Sequence, residues 1–102
     1  MKSYIVYIVS NQYRTALYTG ITNIMQRRIA QHYFDSMNAR KSFAGKYNCY
    51  YLVYYEQFTE PLAALKREKE IKKWKRSKKH ELIIAFNPKW ESLNQQIFRI
   101  AT

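Results

Sequence analysis

Several residue types are scarce in this chain, and each scarcity excludes a class of protein. Cys49 is the lone cysteine. An internal disulfide and a Cys-rich zinc site are therefore ruled out, and a single thiol fits a reducing compartment. Only two glycines occur, so neither a GxxxxGK nor a GxGxxG phosphate loop can be built. Acids are few: Asp35 is the only aspartate, and the glutamates are 56, 60, 68, 70, 81 and 91. They form no cluster of the kind that a two-metal nuclease or a two-carboxylate glycosidase requires. His32 and His80 stand in no HxxxH or HExxH setting, which argues against a zinc hydrolase. No apolar run is long enough to span a bilayer, and Tyr4 to Val9 is too short for a secretory signal. The expectation is a cytoplasmic protein.

Basic residues, by contrast, are abundant. Eighteen Lys and Arg against seven Asp and Glu leave a net charge of +11 on 102 residues. Nine of the cations and only two acids lie between Lys66 and Lys79. A field of this sign attracts phosphate polyanions, so nucleic acid is the expected partner. An anionic membrane fits less well, because the basic stretch lacks a broad Trp, Phe and Leu face. A chain of this length is one domain, 1–102, and can bury roughly two thirds of its unfolded surface without a metal or disulfide.

Tyr4 to Val9 is β-branched and aromatic throughout, the pattern of a strand buried on both faces. Ser10 to Thr15 reads as a turn, and Ala16 to Thr19 as a second strand. Gly20 reads as the turn into a helix from Ile24, with Asn23 as N-cap and Gln26 at the capping-box position. That helix should end between Asp35 and Asn38, before a basic loop to Asn48. Tyr50 to Glu56 is a third strand. Thr59-Glu60-Pro61 starts a helix to about Lys75, and Ser77 caps another through Phe86, which Asn87-Pro88 stops. Pro88 to Leu93 is a candidate last short helix, and a tail over 94–102 has no assigned form. The order β-β-α-β-α-α implies an α+β fold, a three-stranded antiparallel sheet flanked by helices, with a core over about 3–86. Most of the ten tyrosines then belong to sheet and core, although some can turn a polar tip into a cleft or stack on bases.

Two helices carry features that go beyond packing. On the first, Met25, Ile29 and Tyr33 form an apolar stripe, while Arg28 and His32 share a second one. A solvated face and a functional pair both fit that second stripe. On the next helix, Glu68 lies four residues after Ala64 and three before Ile71, so it falls on the apolar face. A carboxylate there needs a partner, either a Lys or Arg at the rim of the core or a metal ion. One carboxylate, an arginine, several tyrosines and a basic surround suit phosphodiester chemistry with one metal, in which cations stabilise the charge developing on phosphorus.

Tyr4 to Tyr7, Tyr18-Thr19-Gly20, Arg28 eight residues after that glycine, and Ala64-Leu65-Lys66-Arg67-Glu68 together resemble the GIY-YIG endonuclease family, in particular its small single-domain bacterial members. The similarity runs over roughly residues 3 to 86. The resemblance implies that Tyr7 and Tyr18 are the two motif tyrosines and that Gly20 lets the chain turn close to the site. It implies that Arg28 is the catalytic arginine, and that His32 stands where the family has Tyr or His. It also implies that Glu68 holds one divalent ion, Mg2+ or Mn2+, bound weakly without substrate. Tyr7 would help activate water, and Arg28 would steady the charge on the phosphorane. Lys66, Arg67, Lys69, Lys72, Lys73, Lys75 and Arg76 would bind nucleic acid, DNA before RNA. Ile5-Val6-Tyr7 replaces the Gly-Ile-Tyr of the first motif, Thr19 replaces Ile in the second, and no further DNA-targeting domain is expected. Two functions follow: a metal-dependent endonuclease, or a non-catalytic nucleic-acid-binding module that keeps the fold.

Overall fold

A computed structural model describes residues 3–37 and 47–100, the side chains of 98–100 excepted. Three strands, β1 (Tyr4–Ser10), β2 (Leu17–Thr22) and β3 (Tyr51–Phe58), form one antiparallel sheet in the order β2-β1-β3. Among the described residues, four helices follow or interleave: α1 (Met25–Met37), α2 (Pro61–Lys72), α3 (Arg76–Phe86) and α4 (Asn94–Ile100). The architecture is the α+β sheet with flanking helices expected from the element order. The predicted loop from Asn38 lies outside the described residues, apart from Tyr47 and Asn48.

The central strand explains the two-sided burial of its sequence. Ile5, Tyr7 and Val9 pack on one face with Met25 and Ile29 of α1 and Ile97 of α4. Val6 and Ile8 pack on the other face with Ala64 and Ile71 of α2 and Ile83 of α3. With a helical layer on each side, both pleat faces must be apolar. In β3 the register slips between Ile8↔Tyr54 and Val9↔Leu52, so Val53 is an extra residue. This bulge puts Val53 and Tyr54 on the same face, where strict alternation would separate them.

Several local expectations are corrected. Gly20 is no turn: it lies inside β2, opposite Tyr7, and its φ is not positive. The start of α1 is held by Thr22, whose hydroxyl accepts from the Ile24 N–H at 3.1 Å, while Asn23 is exposed. Gln26 makes no capping box, since its amide reaches the Ile97 carbonyl at 3.5 Å. The buried stripe of α1 is Met25, Ile29 and His32, and Tyr33 is exposed. Helical geometry accounts for this, because at ~100° per residue position 32 returns to within about 20° of position 25 while position 33 drifts about 80° away. Ser77 lies within α3, whose N-cap residue is Lys75. Pro88 to Leu93 forms no helix, whereas the tail does: Asn94–Ile100 is α4.

The two edges of the sheet are finished differently. Beyond β3, Asn94 accepts the Leu52 N–H at 2.9 Å and donates to the Tyr50 carbonyl at 2.8 Å. Leu93 N–H donates to the Leu52 carbonyl at 2.8 Å, and Asn87 donates to the Val53 carbonyl at 3.2 Å. The C-terminal segment thus covers the backbone groups of an edge strand. Beside β2 lie side chains of α1 and α2, and the candidate site residues gather there.

Candidate active site

Tyr7 is fully buried in β1, yet its hydroxyl reaches the site because the neighbouring strand offers no side chain in its way. A Cβ at Gly20 would fall 2.5 Å from Tyr7 Cζ and 3.0 Å from Tyr18 Cε2. Glycine is required here for close approach of a ring to backbone, not for turning. The Tyr7 ring therefore lies across β2 with its hydroxyl directed toward α1.

Two residues of α1 meet that hydroxyl. Arg28 Nε donates to the Tyr7 oxygen at 3.0 Å, and His32 Nε2 lies 2.9 Å from the same atom. Arginine only donates, so the Tyr7 oxygen accepts from it. In the neutral imidazole tautomer that carries its proton on Nδ1, Nε2 is the acceptor and the phenol donates to it. The electrostatics agree: burial, reinforced by Arg28, lowers the His32 pKa to about 4. Burial pushes the Tyr7 phenol up to about 12, against the opposing pull of Arg28. Burial also works against the Arg28 charge, but its bonds to Tyr7 and Tyr18 outweigh this and hold it charged. The Tyr18 ring completes the cluster, 6.4 Å from Tyr7 and 5.5 Å from His32 between centroids.

Glu68 enters from α2. It is only 8% exposed on the stripe with Ala64 and Ile71, as its spacing requires. Lys72 Nζ bonds its Oε2 at 3.0 Å and lies 5.9 Å from the Tyr18 ring centroid, so the pair sits beside the β2 edge. The Glu68 charge is felt at Tyr7, where it raises the phenol pKa slightly. Tyr7, Tyr18, Arg28, His32 and Glu68 are thus brought to one edge of the sheet from four elements.

The predicted phosphate-binding cations are less uniform. Lys66, Lys69, Lys73 and Lys75 are exposed. Arg67 is committed to Glu56 at 2.9 Å and to Glu70, with its guanidinium over Trp74. Arg76 donates to the Arg14 carbonyl at 2.9 Å and ties α3 to the β1–β2 loop. Lys79, at the end of the same basic stretch, lines a pocket with Leu17, Tyr18, Thr19 and Lys72. No local pattern marks it, because its neighbours come from β2 and α2.

The chain belongs to the GIY-YIG family: the GIY-YIG catalytic domain matches it over residues 3–81. It is 40% identical over 78 residues to a UPF0213 protein of Natronomonas pharaonis, covering 76% of this chain and 87% of that one. Its fold is similar to the solution NMR structure of a UPF0213 protein from Bacillus halodurans, with a TM-score of 0.54 and 26% identity over 91% of this chain and 95% of the other. Membership of a nuclease family implies a nucleic-acid substrate. Among the described residues, no helix is long and apolar enough to cross a membrane.

Proposed function

We propose that this protein is a divalent-metal-dependent endonuclease that hydrolyses phosphodiester bonds in nucleic acid, DNA in preference to RNA, in the cytoplasm. The observation that carries the reading is the hydrogen-bonded chain Arg28–Tyr7–His32, buried at Tyr7 and His32, with Glu68 brought to the same sheet edge from the opposite layer.

The residues fit one weakly held ion. Among the described residues no group of three or more His, Cys, Asp or Glu exists, so Glu68 would be the sole protein ligand. Lys72 engages its Oε2 and leaves Oε1 for another partner. A hydrated Mg2+ or Mn2+ suits such a site, with water and phosphate oxygens as its other ligands. When bound, the ion supplies positive charge near the departing oxygen.

The remaining work falls to the chain. Arg28 is fixed by Tyr7 and Tyr18 before substrate arrives, so its guanidinium meets the developing phosphorane charge with little reorganisation. Tyr7 is protonated at neutral pH and cannot act alone as a base. It can take a proton from the attacking water only once substrate binding opens a path to its buried hydroxyl, and only while passing its own to His32 Nε2 at 2.9 Å. His32, neutral at that pH, is the acceptor. Water oxygen bonds to phosphorus, the phosphorus–oxygen bond to the leaving group breaks, and the electron pair departs on that oxygen.

The Lys72–Glu68 pair favours a second reading, in which the carboxylate is satisfied by a lysine and the domain only binds nucleic acid. A cleavage assay on plasmid, branched DNA and RNA with magnesium or manganese separates the two. Cleavage that stops with chelator and with Arg28→Ala supports the enzyme. Binding without cleavage under every condition supports the module.

A further inference from the structure

Behind Tyr18 lies a pocket of about 290 Å³ lined by Leu17, Tyr18, Thr19, Lys72 and Lys79. It lies beside the candidate active site, with the Tyr18 ring as the shared wall. Two independent features of this pocket point to an anionic occupant. Lys72 and Lys79 converge on it from different helices, and burial, then Arg76 and Lys72, push the Lys79 ammonium below its ordinary range. Thr19 is only 4% exposed, and its hydroxyl makes no hydrogen bond among the described residues. An orphaned buried hydroxyl costs free energy that a bonded ligand oxygen recovers.

We propose that Thr19, Lys72 and Lys79 form a second oxyanion subsite, which takes a backbone phosphate next to the one presented to Arg28. The source of the oxyanion rests on the nuclease reading above; the oxyanion chemistry does not. A phosphate here would relieve the repulsion that Arg76 and Lys72 exert on the Lys79 ammonium and give the Thr19 hydroxyl an acceptor once the flexible lysine side chains shift aside. The strand would run from Arg28 over Tyr18 to Lys79, crossing the sheet edge. The subsite would thereby set which phosphate is cut by holding its neighbour.

Binding of a fluorescent DNA oligonucleotide, measured with chelator so that no cleavage intervenes, tests this together with an NMR titration of inorganic pyrophosphate. Lys79→Gln should weaken DNA binding about tenfold at low salt and make the log–log salt dependence shallower by about 0.7–0.9. Thr19→Val, nearly isosteric, should weaken binding by about threefold to tenfold without changing the salt slope. Lys89→Gln, the same charge change outside the pocket, should do much less than either. With metal present, both pocket variants should raise KM and leave kcat nearly unchanged. Equal losses for Lys79→Gln and Lys89→Gln would mean a diffuse field and overturn the subsite while leaving the nuclease reading intact. Pyrophosphate shifts at Thr19 and Lys79 without any DNA binding would keep the oxyanion site and overturn the nuclease reading. No response to either probe would overturn the subsite itself.

Discussion

The sheet has two edges, and they illustrate two uses of polar side chains. At the β3 edge, Asn87 and Asn94 spend their amides on strand backbone, and the result is closure. At the β2 edge, Tyr7, Arg28 and His32 bond to one another instead, and α2 adds a buried carboxylate. Closing an edge satisfies groups that would otherwise be orphaned, so its reward is stability. The open edge keeps charged and proton-carrying groups half-desolvated, which favours chemistry and adds less to the fold. Variants at the two edges should therefore separate cleavage from melting.

The largest expected effect is Arg28→Ala, with cleavage falling by about a thousandfold, near 4 kcal/mol of transition-state stabilisation. Its melting temperature should stay close to the parent's, because the packing stripe of α1 is Met25, Ile29 and His32. Lysine at the position should restore only part of the rate, since it lacks the planar fork. A large drop in melting temperature would break the comparison by making Arg28 structural. Next is Glu68→Gln, expected to cut metal-dependent cleavage by about a hundredfold and to abolish paramagnetic broadening by manganese. Nucleic-acid binding should persist or tighten. Equal broadening in parent and variant would exclude Glu68 as the ligand.

A third effect reads through pH. Burial keeps folded His32 neutral down to about pH 4, while the unfolded imidazole titrates near its ordinary 6.5. Between these values, unfolding takes up a proton. Its contribution is thus complete above about pH 6.5 and is lost as pH falls to about 4, by up to about 3 kcal/mol. Chemical denaturation across that range should show the slope in the parent and a flatter one in His32→Gln. The smallest effect is on the closed edge. Asn94→Ala should cost about 2 kcal/mol by stranding the Leu52 N–H and the Tyr50 carbonyl, with kcat unchanged below the melting range.

What could be read from the sequence, and what could not, follows from how local each signal is. The β1 run was legible because burial on both faces leaves no polar position. Glu68 was legible because a carboxylate on an apolar helical stripe breaks a short-range pattern. The position of Gly20 stands out in the sequence but its role does not, since a glycine for close approach and one for a turn look alike without the Tyr7 ring over it. The bulge at Val53 and the clamp by Asn94 were hidden because both depend on partners far along the chain, β1 for the one and β3 for the other. The Thr19–Lys79 pocket was hidden for the same reason: its walls come from β2, α2 and α3.

Tyr7 stands on the middle strand, paired on both sides and with no exposed surface. Its amide should accordingly be among the last to exchange with deuterium, opening only when the whole domain unfolds. Fraying of a helix end or release of the C-terminal clamp would leave that anchor in place. Recovery of function after brief denaturation should therefore keep pace with recovery of the sheet. On the proposed nuclease reading, the proton-handling group sits in the part of the molecule that breathes least, and substrate must adapt to it.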